Sequence, residues 1–153
     1  MSLPITFTSS SPRFGLPLLF AGQTQKEFYV NQAHALSDAL LHPAVEEEQA
    51  SAPAAPQDGQ AWLVSANATG DWAGRDLALA SRQAGVWVFT AAQEGMRVFN
   101  RSSRQFVHFA AGSWQSAQPP ELPTAGTTVD NEARETLGLL IQTLRKAGIF
   151  PTV

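Results

Sequence analysis

The sequence predicts an α+β fold: an N-terminal arm and helix, a small antiparallel β meander rich in tryptophan, and a C-terminal helix with a heptad stripe. Three observations predict it. Gly-x-Trp recurs at Gly70-Asp71-Trp72, Gly85-Val86-Trp87 and Gly112-Ser113-Trp114, each time setting a large aromatic directly after a turn. Between and beyond these points, short alternating apolar runs are broken by turns roughly every ten residues, the spacing of an antiparallel meander. On either side of that region, apolar residues repeat at helical spacing and Pro-rich segments separate them from it.

Residues 1–22 read as an extended arm. Residues 1–15 are rich in Ser, Thr and Pro with no helical period, a short apolar run broken by Pro17 and ended by Gly22 follows, and Ile5, Phe7 and Phe14 could anchor the arm to the body or to a partner. A helix is expected over 23–42. Thr24 and Glu27 fit a capping box, Tyr29, Ala33, Leu36 and Leu40 form one stripe, and Pro43 stops the helix. The stripe would pack on its own domain or between subunits. Residues 43–58 read as a linker, because consecutive Glu46-Glu47-Glu48 do not converge on one face and an Ala/Pro segment follows.

The β domain is expected over 59–116. Strands are read at 61–65, 77–83, 86–90, 96–100 and 105–109, with Trp87 and Phe89 sharing a face. Residues 117–127 form a second, Pro-rich linker. A C-terminal helix spans 128–150. Asp130 is its expected N-cap, with Thr128 a competitor, Arg145 and Lys146 suit the negative end of its dipole, and Gly148 is its C′ residue with Ile149 beyond. Ala133, Leu137, Leu140, Leu144 and Ala147 keep a 4-3-4-3 spacing. That stripe needs a cover, either the first helix or copies of itself, most simply as a trimer.

Composition excludes several classes. A net charge of -3 with no Lys/Arg run argues against nucleic acid as a partner. The chain has no cysteine, so disulfides and thiolate metal sites are out. No apolar run nears the ~18–20 residues that span a bilayer, so no membrane partner is expected. His34, His42 and His108 lack metal-ligand spacing, and no nucleophile elbow, phosphate loop or dinucleotide turn is present. The reading is therefore no catalytic residues, no metal and no cofactor. Asp71 and Asp76 lie in one loop without supporting acids, and Asp71 is placed to cap its own turn. Most tryptophans are expected in the core of so small a module. If a sugar is bound, Trp72 and Trp114 would stack on it, with Asp71 and Arg75 beside them.

Ala21-Gly22-Gln23-x-Gln25-Lys26-Glu27, with Asn31 and Ala33 after it, resembles the start of a family of uncharacterised proteins from tailed phages and gene transfer agents. Ala68-Thr69-Gly70-Asp71-Trp72-Ala73-Gly74 matches that family's Ala-Thr-Gly-x-Trp-Ala-Gly signature. Gly85-Val86-Trp87-Val88-Phe89 matches its Gly-x-Trp-x-Phe strand, and Glu94-Gly95 a further motif. The resemblance spans about residues 16–115. Two departures stand out: Asn31-Gln32 replaces Asn-Glu, and Met96 replaces a Trp. The resemblance implies a structural or adaptor subunit of a phage, prophage or gene-transfer-agent particle, at a spike or tail-fibre base. Such a subunit would be made in the bacterial cytoplasm and carried in the virion. It would contact other virion proteins, with cell-surface polysaccharide as a second expected partner.

Overall fold

A computed structural model describes residues 9–19, 22, 26–121 and 130–152. The expected anchors Ile5 and Phe7, the Thr24 cap, the competitor Thr128 and most of the 117–127 linker lie outside the described residues, as does the side chain of Phe28. The fold is α+β. It comprises α1 (Lys26–Leu40), β1 (Ala44–Val45), β2 (Glu48–Gln49), β3 (Ala61–Val64), β4 (Leu79–Gln83), β5 (Val86–Thr90), β6 (Arg97–Asn100), β7 (Gln105–Ala110), β8 (Ser113–Ser116) and α2 (Asn131–Lys146).

The chain forms two compact units where one β domain was expected over 59–116. The first holds residues 1–43 and 48–92, the second residues 44–47 and 93–153. Each contains one four-stranded sheet, in the orders β2-β3-β4-β5 and β1-β6-β7-β8. The hairpin pairings are antiparallel, but the edge strands β1 and β2 pair in parallel, Ala44 opposite Phe99 and Glu48 opposite Leu63. The segment read as a solvated linker thus supplies one strand to each sheet. Val45 is fully buried. Glu46 is no free charge either: Arg101 Nη1 lies 2.8 Å from its Oε1. Two-residue strands fall below the length at which alternation shows in a sequence.

In the first unit, β3 and β4 are central and buried along almost their whole length. The β4–β5 turn has Ala84 at φ 48° and Gly85 at φ 75°. Positive φ at both central residues is the type I′ geometry that suits the strand twist. Ala111 and Gly112 repeat it between β7 and β8, at φ 51° and 75°. Trp87 and Phe89 share a face as expected, and pack against Trp62, Val64, Trp72 and Ala80.

The arm does not run extended where it is described. Ser10 and Pro17 bridge in antiparallel fashion, with Ser11 N–H donating to Leu16 C=O at 2.9 Å. This bend docks on α1 through one carboxylate. Asp38 is fully buried and accepts from Ser11 Oγ at 2.6 Å, Phe14 N at 2.6 Å and Arg13 N at 3.0 Å. Arg13 Nη1 donates back to the Asp38 and Ala39 carbonyls, near the helix C-terminus. Asn31 grips the arm further along, its side chain bonding both N–H and C=O of Leu19. The buried face of α1 therefore runs through Asn31, Ala35, Asp38 and Ala39 rather than the predicted stripe, of which Tyr29 is 77% exposed and Ala33 also faces solvent. A polar residue at a core position hides that face from an apolar count.

Candidate functional site

Residues 68–74 build the loop between β3 and β4. Gly70–Trp72 forms a single 3-10 turn, with Gly70 at φ 61° and Gly74 at φ 73°. Asp76, not Asp71, holds the loop: its carboxylate accepts from Asn67 N at 3.2 Å and Ala68 N at 3.0 Å. Thr69 N–H donates to Ala50 C=O at 2.8 Å, tying the loop to the chain that follows β2. The loop's function is to drive Trp72 inward.

Trp72 is fully buried. It meets Trp87 edge-to-face at 5.1 Å between centroids, and Trp87 meets Trp62 at 5.6 Å. Such pairs contribute about 0.5–1.5 kcal/mol each beyond the area they bury. The ring has no free face for a sugar, so Trp72 leaves the stacking set. Asp71 stays exposed and Arg75 lies over the Phe89 ring, 5.0 Å from its centroid. Trp114 belongs to the second unit. It is half-buried and packs edge-on against Phe109, its cross-strand partner, at 5.3 Å. The four residues expected at a sugar site are thus an inward tryptophan with two exposed charges in one unit, and a hairpin tryptophan in the other.

The second candidate surface is α2. Asp130 caps it as expected, accepting from Ala133 N at 2.9 Å. At the other end Gly148 N–H donates to Arg145 C=O at 3.0 Å and Ile149 N–H to Leu144 C=O at 2.9 Å, a full Schellman closure. Gly148 has φ 71°, and a Cβ there would sit 3.3 Å from the Phe99 ring. The face turned inward is Gly138, Ile141 and Arg145, with Gly148 beyond. The predicted stripe lies one residue away. Its members Ala133 and Ala147 are exposed, Leu144 is half-buried, and Leu137 and Leu140 are 46% and 52% exposed. Leu137, Leu140, Leu144 and Phe150 line a groove of about 240 Å³ with Pro120.

The unit also holds a cavity of about 730 Å³ that no motif signals, since its lining is scattered along the chain. Arg104, Arg145 and Lys146 line it with Phe99, Gln142 and Thr152. Among the described residues no carboxylate lies within 4.0 Å of these three cations, and Arg145 Nε is buried without a hydrogen-bond partner. No group of three or more His, Asp or Glu that could hold a metal occurs among the described residues. No helix among them is long and apolar enough to cross a membrane.

Residues 30–115, more than half of the chain, match the family described as protein of unknown function (DUF2793). The chain belongs to this family. The matched stretch covers α1 from its second turn, both sheets and the loop that buries Trp72. None of the curated proteins matches the chain.

Proposed function

We propose that this chain is a structural or adaptor subunit of a phage, prophage or gene-transfer-agent particle, at a spike or tail-fibre base, and that it works as a homo-oligomer joined through α2. One observation carries the reading. Leu137, Leu139 and Leu140 are 46%, 62% and 52% exposed on a helix that is capped at both ends. A rigid, well-terminated helix that leaves three leucines in water is built to be covered. The phage-type motifs at residues 21–33 and 68–74 support the particle, and other virion proteins are then the further partners. Leu137→Lys with Leu140→Lys is expected to turn an oligomer into a monomer in sedimentation velocity. Because both side chains are already about half exposed, the folded subunit should change by only about 1 kcal/mol in a denaturant titration. A wild-type chain that stays monomeric at high concentration rejects the reading.

The alternative is a carbohydrate-binding module that contacts cell-surface polysaccharide. The 730 Å³ cavity favours it over the tryptophan loop, because three cations with no carboxylate partner among the described residues, an amide, a hydroxyl and the Phe99 and Phe106 rings suit an acidic sugar. Glucuronate is expected to shift the NMR signals of Arg145 and Thr152 with a millimolar Kd, and glucose is not. Arg104→Ala with Lys146→Ala should weaken that binding roughly tenfold. Equal shifts with glucose and glucuronate, or none, remove this reading. Neither reading contains a catalytic step.

A further inference from the structure

The first sheet has one long open edge. Its order β2-β3-β4-β5 leaves β5 on one side and the two-residue β2 on the other. The phase of the hydrogen bonds is fixed from within. Arg82 N–H donates to Gln60 C=O at 2.9 Å, and Arg82 C=O accepts from Gly59 N–H at 2.8 Å, both away from β5. Trp87 stands opposite Arg82, so its own N–H and C=O turn outward, as do those of Phe89 two residues on. Among the described residues no backbone group bonds to them. The usual guards of an edge are lacking: β5 pairs with β4 residue for residue without a bulge, and Val86–Thr90 holds no charge, proline or glycine. Val86 is exposed, and Trp87 and Phe89 are only half-buried.

We infer that this edge pairs with the same edge of a second copy, β5 against β5 in antiparallel fashion about a two-fold axis at Val88. The strand is symmetric in kind about that residue: β-branched, aromatic, β-branched, aromatic, β-branched. Val86 then faces Thr90 of the other copy, Trp87 faces Phe89, and Val88 faces its own mate. The Trp87–Phe89 pairs are the ones that exchange both N–H···O=C bonds, which is the phase that β4 leaves open. Their rings meet on the face that packs against Trp62 and Trp72, as cross-strand aromatic pairs. A second copy fits better than a foreign strand because the pairing closes on itself. It covers the long edge of both subunits and leaves only the two short β2 edges, so assembly stops at two. The seam lies wholly in the first unit and does not rest on α2. Five residues make a short seam, so the pair forms towards millimolar concentration, above the micromolar range of sedimentation velocity.

The absence of native cysteine makes the test direct. Val88→Cys and Val86→Cys are each prepared in the full chain carrying Leu137→Lys and Leu140→Lys, so that α2 contributes no seam, with far-ultraviolet circular dichroism as the folding control. Val88→Cys is expected to form disulfide-linked dimers at least about tenfold faster than Val86→Cys, although Val86 is the more exposed site. Opposed residues of a non-hydrogen-bonded pair stand about 4.5 Å apart at Cα, within disulfide reach, whereas the two Val86 stand about 14 Å apart along the strands. In the same background without a cysteine, the amides of Trp87 and Phe89 should gain roughly tenfold protection from hydrogen exchange between micromolar and millimolar protein, while those of β7 do not change. Equal cross-linking rates for the two cysteine variants, or exchange at Trp87 and Phe89 that is independent of concentration, overturn the β5 pair. Either failure leaves the α2 reading standing, since the chain without the two lysines tests that reading separately.

Discussion

Trp72→Ala is expected to cost the first unit about 3–5 kcal/mol, the range for removing a large buried aromatic. The side chain is fully buried, touches two further tryptophan rings, and is delivered by a loop whose backbone is hydrogen-bonded from Thr69 to Ala50. Nothing nearby can fill the space, because Trp62 and Trp87 are fixed by the ladders of β3 and β5. A domain of this size has only about 5–15 kcal/mol in total, so the variant should sit near its unfolding midpoint at moderate denaturant. Trp72→Phe should recover part of the loss, since it keeps a ring and removes an indole N–H that has no partner among the described residues. The measurement is a urea titration followed by tryptophan fluorescence. A loss below about 1 kcal/mol would mean that the ring is not the keystone of this sheet.

Asp38→Ala is expected to free the arm. The change strands three buried or half-buried donors at once: Ser11 Oγ, Arg13 N and Phe14 N. Hydrogen bonds to a charged acceptor are worth about 1.5–3 kcal/mol each, and they act here as one group, so a total near 3–5 kcal/mol is expected. Arg13 then loses the platform that aims its guanidinium at the Asp38, Ala39 and His42 carbonyls. Hydrogen exchange should rise sharply over residues 11–18 and along the last turn of α1, while β6, β7 and β8 keep their protection. Asp38→Asn should fall between, since its amide offers one acceptor where two oxygens now serve. Unchanged exchange in the arm would show that other contacts hold it.

The helices and hairpins were legible because their signals are local. Asp130 and Gly148 bound α2 by hydrogen bonds a few residues long, and the Ala-Gly turns at 84–85 and 111–112 bound β4–β5 and β7–β8. What stayed hidden depends on partners far along the chain. Asp38 carries no local signal of its role until Ser11 is brought to it, and Ala44 and Glu48 read as linker until Phe99 and Leu63 pair with them. The inward face of α2 also slipped by one residue. Ile141 and Gly148, not Leu137 and Leu140, meet the body, and at Gly148 a Cβ would sit only 3.3 Å from the Phe99 ring. The electropositive cavity was illegible for the same reason: Arg104 and Arg145 stand 41 positions apart, by their numbers alone.

The five residues from Ala44 to Glu48 impose an order of events on a chain leaving the ribosome. β1 emerges early, yet its hydrogen-bonding partner β6 is made more than fifty residues later. β2, by contrast, finds β3 within a short loop. The first sheet can therefore close during synthesis, while Val45 waits in water for the last third of the protein. Closing a loop of that length costs only slightly more entropy than closing a short one, but it slows the search. Until it closes, the edge of β6 is an unpaired template for other chains, and this is the interval in which misassembly between nascent chains would compete with folding.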